Sequence, residues 1–237
     1  MPLDNLSATY ADGCLYVAGG KGKPQTVPIG KDGSQTAPTN PLFSLQLTPS
    51  LQKEWVRLPD FPGPARVQPV LTAQQSEDGI RLYLAGGFQP ASAHQEAIVC
   101  TEMLSYHPKT KQWRNEGFLP SLAGGSHRTV TGGCAIASGD SSILLVGGVN
   151  YDRFRDALNH PEPDYLLHPA DWYKFNTSLL QYNTFTKHWT HLGNYEELAR
   201  AGAGIANNAN TVIIIGGELN PGIRTPEVNA FKLTCHP

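Results

Sequence analysis

Leu15-Tyr16-Val17-Ala18-Gly19-Gly20 contains the pattern that decides the fold, because three more copies of it follow in the 237-residue chain. In every copy a short apolar run ends at a pair of glycines. The other copies are Leu82-Tyr83-Leu84-Ala85-Gly86-Gly87, Leu144-Leu145-Val146-Gly147-Gly148 and Ile213-Ile214-Ile215-Gly216-Gly217. The glycine pairs lie 61 to 69 residues apart, so each copy predicts one unit of a repeat array.

Each unit reads as four short strands. A small apolar first strand precedes a turn such as Asp12-Gly13 or Asp78-Gly79, and these turns are typical of a tight hairpin. The second strand then carries the apolar run and ends at the glycine pair, where the missing Cβ lets the chain turn. The predicted first strands are residues 7–11, 69–74, 133–137 and 202–207, and the predicted third strands are 42–45, 103–106, 179–182 and 227–233.

A Lys-x-Trp motif marks the fourth strand in three of the units. The tryptophans are Trp55, Trp113 and Trp189, and large flat rings at a fixed place suit packing between neighbouring sheets. Repeated strands with glycine and tryptophan marks predict an all-β fold, a β-propeller, and the pattern resembles the Kelch repeat. We expect a single domain of four blades, at about residues 1–60, 61–120, 121–195 and 196–237.

The fourth unit differs from the others, since no Lys-x-Trp strand follows its third strand. The chain also begins directly on a first strand. We therefore expect four blades of a larger ring, or a chain that a partner completes. Open sheet edges at both ends of such an arc favour self-association.

Composition narrows the classes of partner. Charged residues make up 16% of the chain and the formal net charge is −2, so a nucleic-acid partner is not expected. No run approaches the roughly 18 apolar residues of a membrane-spanning helix. The first residues lack the regions of a secretion signal, so the sequence does not decide between periplasm and cytoplasm. The four cysteines have no metal-site spacing, and neither a metal nor a cofactor is expected.

The meander brings distant charged residues to one end of the propeller. Connections in antiparallel sheets alternate between the two ends, so residues after the glycine pairs and residues before the first strands share one rim. This rim is predicted to hold Arg66, His127, Arg128, Arg200, Asn150, Glu218 and Arg224. Four arginines beside one carboxylate indicate an anionic ligand. The alternative is that they are solvated loop charges or pair with nearby acidic residues.

Several segments go beyond a general Kelch pattern. They are residues 58–66, Gly147-Gly148-Val149-Asn150 with Phe154 and 157–159, residues 165–176, and Gly217-Glu218-Leu219-Asn220-Pro221-Gly222-Ile223-Arg224-Thr225. Together they resemble the N-acetylneuraminate epimerases, or sialic acid mutarotases, in the cyclically permuted bacterial branch. The last segment is the most specific, because the Kelch fold does not require it.

The resemblance implies a six-bladed propeller that interconverts the α and β anomers of N-acetylneuraminate, an acidic sugar, by general acid–base catalysis. It also implies Glu218 as the catalytic base and Arg224 as a substrate-binding residue. Members of the permuted branch carry two further blades ahead of the segment where this chain starts. The rim argument alone adds further substrate-binding residues, namely Arg66, Arg128, Arg200, Asn150 and His127.

Two other interpretations stay open at this point. The chain could be a non-catalytic Kelch scaffold that binds a glycan or a protein at the same rim, or an inactive truncated remnant. Residues 151–176 are rich in aromatic side chains and either cover the mouth or pack on the side of a blade, and we favour packing on the side.

Overall fold

Apart from one two-stranded hairpin, the strands of the computed structural model form four antiparallel sheets that follow one another along the chain. The structure describes residues 3–22, 40–48, 54–122, 124–208 and 210–233. The first strands of neighbouring sheets lie against each other, which places them on the inside of a common arc. The sheets are therefore blades of a β-propeller, and the predicted all-β fold is confirmed.

Blades one and two are complete meanders. Blade one consists of β1 (Leu3–Ala11), β2 (Cys14–Gly22), β3 (Leu42–Gln46) and β4 (Val56–Leu58). Blade two consists of β5 (Val67–Ser76), β6 (Gly79–Gln89), the short β7 (Ile98–Val99), β8 (Glu102–His107) and β9 (Gln112–Phe118). The fourth strand of blade one begins one residue after Trp55, and Lys53 of its motif lies outside the described residues.

Blades three and four carry the connections that shape the rim. Blade three consists of β10 (Cys134–Ser138), β11 (Ser142–Val146), β12 (Ser178–Asn183) and β13 (Trp189–Asn194). Blade four has β14 (Gly204–Asn208), β15 (Thr211–Ile215) and β18 (Val228–Lys232), and between the last two a hairpin of β16 (Glu218–Asn220) and β17 (Ile223–Arg224).

The glycine pairs are explained by close backbone contacts. In blades one to three a Cβ on the first glycine would collide with the next blade: at Gly147 it would lie 2.6 Å from the carbonyl oxygen of Arg200. A Cβ on the second glycine would collide with its own first strand, and at Gly148 it would lie 2.7 Å from Thr131 O. Both glycines also have positive φ, so the motif sets the spacing within and between blades.

The core consists of apolar layers between neighbouring blades. Trp113 of blade two packs between Tyr106 of the same blade and Phe61 at the entry from blade one. Its ring centroid lies 5.0 Å from that of Tyr106 and 5.9 Å from that of Phe61. Trp189 packs in the same way on Tyr182 between blades two and three, at 4.8 Å. The tryptophans of these two blades thus pack between sheets, as their spacing predicts.

The connection between β11 and β12 lies along the rim and not on the side of its blade. It contains α1 (Tyr151–Asn159), a 3₁₀ turn at Tyr165–Leu167 and α2 (Ala170–Tyr173). Asn159 exchanges two hydrogen bonds with the backbone of Ala97 in blade two, whereas α2 contacts β16 in blade four. The connection therefore bridges the rims of both neighbouring blades, unlike the packing favoured from sequence. None of the helices in the described ranges is long and apolar enough to cross a membrane.

Candidate functional site

The β16–β17 hairpin brings together the two residues that the sequence singles out most strongly. Glu218 and Arg224 are direct cross-strand partners, and Arg224 Nε lies 3.5 Å from Glu218 Oε1. The hairpin starts at Gly216-Gly217, both with positive φ, and the Thr225 amide donates to Gly217 O at 2.9 Å. The pairing follows from the tight turn between the two strands, because opposite residues of an antiparallel pair place their side chains side by side.

The backbone of Glu218 is held on its other side by Ala201, which lies just before the first strand of blade four. The Glu218 amide donates to Ala201 O at 2.7 Å, and the Ala201 amide donates to Glu218 O at 3.0 Å. The Glu218 side chain remains 31% exposed and that of Arg224 82% exposed. The backbone of Glu218 is thus held by Ala201 on one side and by its cross-strand partner Arg224 on the other, and the carboxylate is still open to a ligand.

Arg66 and Arg200 are placed differently from the sequence-based expectation that they bind substrate. Both guanidinium groups are buried. Arg66 donates to Gly86 O and forms an ion pair with Glu102, and Arg200 donates to Gly216 O and forms an ion pair with Glu227 at 2.8 Å. Each arginine thus fixes the first glycine of its own blade to the start of the third strand. Each buried charge thus has an acidic partner inside the protein.

Arg128 has no such carboxylate partner among the described residues. Its side chain is buried, and its Nε donates to Pro120 O at 2.9 Å. Burial lowers the pKa of the Arg128 guanidinium, which is the direction expected when no acidic group compensates for lost hydration. Of the four rim arginines, Arg128 and Arg224 are therefore the ones that suit an anionic ligand.

Asn150 and His127 lie at the start of the bridging connection. Asn150 is the N-cap of α1, and its side chain accepts a hydrogen bond from the Arg153 amide at 3.1 Å. The exposed ring of His127 lies edge-to-face on Tyr151, with centroids 5.2 Å apart. This helix-capping role accounts for an asparagine at position 150 without any contact to a ligand.

An open cleft of about 730 Å³ lies beside the hairpin. Its walls include Asn150, Lys174, Asn194 and Leu219. Leu219 follows Glu218 on the same strand, and successive side chains of a strand point to opposite faces. An irregularity in the strand register between Glu218 and Asn220 interrupts this alternation, and Leu219 lines the cleft whereas Glu218 does not.

Sequence reasoning overlooked a set of residues at the starts of the first strands of the four blades. Just before or within each first strand, one residue has a left-handed conformation, with φ between 53° and 70°. We call this set the inner ring, and its members are Asn5, Gln68, Gly132 and Gly202. The Gly132 amide donates to Gln68 O at 3.0 Å, and the Gly202 amide donates to Gly132 O at 2.7 Å, which joins successive blades. The only sequence signal was that each lies near the start of a first strand.

Two other groups of reactive side chains lie in the described part of the chain. Burial raises the pKa values of the Cys100 and Cys134 thiols to about 11, so neither is suited to act as a nucleophile. Glu162, Asp164 and His168 have potential ligand atoms within 4.8 Å of one another. The His168 ring stacks on Trp172 at 3.9 Å and faces Glu162 at 3.8 Å, which accounts for its placement without a metal.

Comparison with known proteins decides the family. The family model for N-acetylneuraminate epimerase matches residues 25–236. The chain belongs to the N-acetylneuraminate epimerase family. The N-acetylneuraminate epimerase of Haemophilus influenzae (strain PittEE) is 29% identical over 96% of this chain, and that of Pasteurella multocida (strain Pm70) is 26% identical over 85%. The chain spans 60% and 52% of the lengths of these two relatives.

The solved structure of YjhT shares the fold. It superimposes with a TM-score of 0.70 at 22% sequence identity, covering all of this chain and 67% of YjhT. The family resemblance in the sequence is thus confirmed by the family model and by the named relatives. The likeness to YjhT supports the propeller architecture.

Proposed function

We propose that this chain interconverts the α and β anomers of N-acetylneuraminate, with Glu218 as the general acid–base group. The observation that carries the proposal is the fixed pair of Glu218 and Arg224, whose tips lie 3.5 Å apart in a chain of the N-acetylneuraminate epimerase family. The family relatives bear that activity in their names, and the hairpin offers the two charges that the reaction requires.

The reaction needs a group that can take a proton and return it. The anomeric carbon of N-acetylneuraminate is a hemiketal that bears the carboxylate. Glu218 removes the proton of the anomeric hydroxyl, the bond from the anomeric carbon to the ring oxygen breaks, and the ring oxygen takes up the proton. Rotation of the open keto end and the reverse steps give the other anomer. A positioned carboxylate contributes about 10²–10⁴-fold to such a transfer.

Arg224 has the role of positioning the sugar carboxylate. Its Nε faces Glu218, while the rest of the guanidinium is largely exposed and can make a bidentate contact. Holding the carboxylate also holds the anomeric carbon to which it is bonded, and this brings the hydroxyl to the base. Arg128 is our candidate for a second anion-binding group, because its guanidinium has no acidic partner among the described residues and donates only Nε, to Pro120 O.

Glu218→Gln tests the proposal. Proton NMR of α-N-acetylneuraminate, freshly released by a sialidase, measures the rate of anomeric equilibration with and without the protein. We expect the wild-type chain to accelerate equilibration and Glu218→Gln to lose at least about 10²-fold of that acceleration. Sugar binding should persist, since the amide keeps the shape and an oxygen acceptor.

Glu197→Gln is the matched control, because Glu197 is an exposed carboxylate in the 3₁₀ turn between blades three and four. It should leave the rate unchanged. A Glu218→Gln variant with the full rate would contradict the assignment of the base. Binding of the sugar by a wild-type chain that gives no acceleration would favour the non-catalytic scaffold.

A further inference from the structure

Gln68 occupies a position where the structure needs no side chain. It belongs to the inner ring, with φ 54°, and lies between the paired residues Val67 and Pro69 of β5 without a cross-strand partner of its own. The left-handed residue thus interrupts the β5–β6 ladder without shifting its register. The Gln68 side chain is exposed, and no hydrogen bond from its amide group occurs within the described residues.

Glycine can adopt the left-handed backbone of the inner ring and form its inter-blade hydrogen bonds equally well. Gly132 and Gly202 occupy the same position in blades three and four, with φ 70° and 64° and the same inter-blade hydrogen bonds. A left-handed conformation is costly for glutamine and not for glycine. Blades three and four have glycine at this position, and blade one has Asn5, a residue type that adopts this conformation more readily than glutamine. The glutamine of blade two therefore needs a reason of its own, which its side chain can supply.

The surroundings of Gln68 connect it to the candidate site. A Cβ built at Gly132 would lie 3.9 Å from Gln68 Oε1 and 3.5 Å from the Cβ of Ala201, so the two flank one gap. Ala201 is hydrogen-bonded in both directions to the backbone of Glu218. On the other side of Ala201, nothing lies within 4 Å of the Cβ position of Gly202. The Gln68 amide thus lies close to Ala201, which holds the hairpin, and open space adjoins Ala201 at Gly202.

We infer that Gln68 binds the acetamido group of the sugar, and this inference rests on the proposed function. A primary amide offers a donor and an acceptor side by side, which matches the N–H and C=O of an acetamido group. Arginines hold the carboxylate at one end of the sugar ring, and Gln68 provides a neutral contact on the opposite wall of the open space. Gln68 is therefore a specificity-determining residue that distinguishes an acetamido sugar from one with a hydroxyl at that carbon.

Gln68→Gly separates this role from a structural one. Glycine relieves the left-handed backbone, so the melting temperature should stay the same or rise. Calorimetric titration then compares N-acetylneuraminate with the analogue that carries a hydroxyl in place of the acetamido group. We expect Gln68→Gly to weaken N-acetylneuraminate binding about tenfold and to leave the analogue unchanged.

Lys111→Gly is the matched control. Lys111 is exposed and has φ 57°, but it lies in the turn before β9, at the opposite end of the blade. It should show the same thermal behaviour with no loss of binding. Equal weakening of both sugars by Gln68→Gly, or weakening of neither, would overturn the inference, as would a wild-type chain that binds no N-acetylneuraminate. A wild-type chain that binds the sugar without accelerating equilibration would refute the proposed reaction alone, and the titration would still decide the role of Gln68.

Discussion

Asp78 accepts hydrogen bonds from two arginines at the end of blade two opposite the candidate site. Its carboxylate receives Arg81 Nε at 2.9 Å and Nη2 at 2.8 Å, and Arg114 Nη2 at 2.9 Å. Arg81 is buried and also donates to Ser105 at 3.1 Å. The hydrogen bonds from Arg81 hold the pKa of Asp78 well below its usual range. The ionised form is therefore part of the folded state.

We expect Asp78→Asn to lower the free energy of unfolding at pH 7 by about 2 kcal/mol, because it leaves a buried guanidinium short of its charged partner. The folded-state pKa of Asp78 is depressed, so its contribution is complete above the unfolded value of about 4 and is lost as the pH falls toward the folded value. Urea unfolding at pH 7 and pH 3 measures the difference between wild type and variant. A difference that grew at pH 3 would contradict this account.

At the scale of the element, the glycine pair is the feature with the clearest mechanical reason. Gly147→Ala places a methyl group 2.6 Å from Arg200 O and 2.9 Å from Leu198 O, at φ 65°. Neither contact is a flexible side-chain end, so the blades must move apart. We expect a loss of about 3 kcal/mol in unfolding free energy, measured by urea denaturation.

Gly139→Ala is the control for the glycine pair, since Gly139 has φ 56° and nothing within 4 Å of its Cβ position. It should cost about 1 kcal/mol, the cost of the left-handed backbone alone. Equal losses for the two variants would show that contact with the next blade contributes nothing to the requirement for glycine.

The strands were predictable because their signals are local. An apolar run, a turn and a glycine pair lie within ten residues of one another, and the third strand of blade four was predicted at 227–233 and found at Val228–Lys232. The Glu218–Arg224 pair was predictable for the same reason, since one tight turn joins the two residues. Roles that depend on distant partners could not be predicted. Arg66 and Arg200 bind carboxylates 36 and 27 residues away, which no local pattern indicates.

Across the whole molecule, the tryptophan side chains indicate which blade surfaces are normally covered by an adjacent blade. Trp113 and Trp189 each pack toward the preceding blade. Trp55 holds the same sequence position in blade one, before its fourth strand, and is 47% exposed. At the other end of the arc, Ile215 and Val228 of blade four are 47% and 62% exposed. Both ends thus present apolar surface of the kind that is buried between blades elsewhere.

We therefore predict that the 237-residue chain self-associates through the two end faces. Sedimentation velocity over a wide range of protein concentration should show a sedimentation coefficient that rises with concentration. Trp55→Gln should weaken the association, because it removes the largest apolar ring from one face. Leu167→Gln is the control, since Leu167 is 82% exposed but belongs to the bridging connection on the rim and not to an end face. A single monomeric species at all concentrations would refute the prediction, because apolar faces that attract each other must associate more as concentration increases.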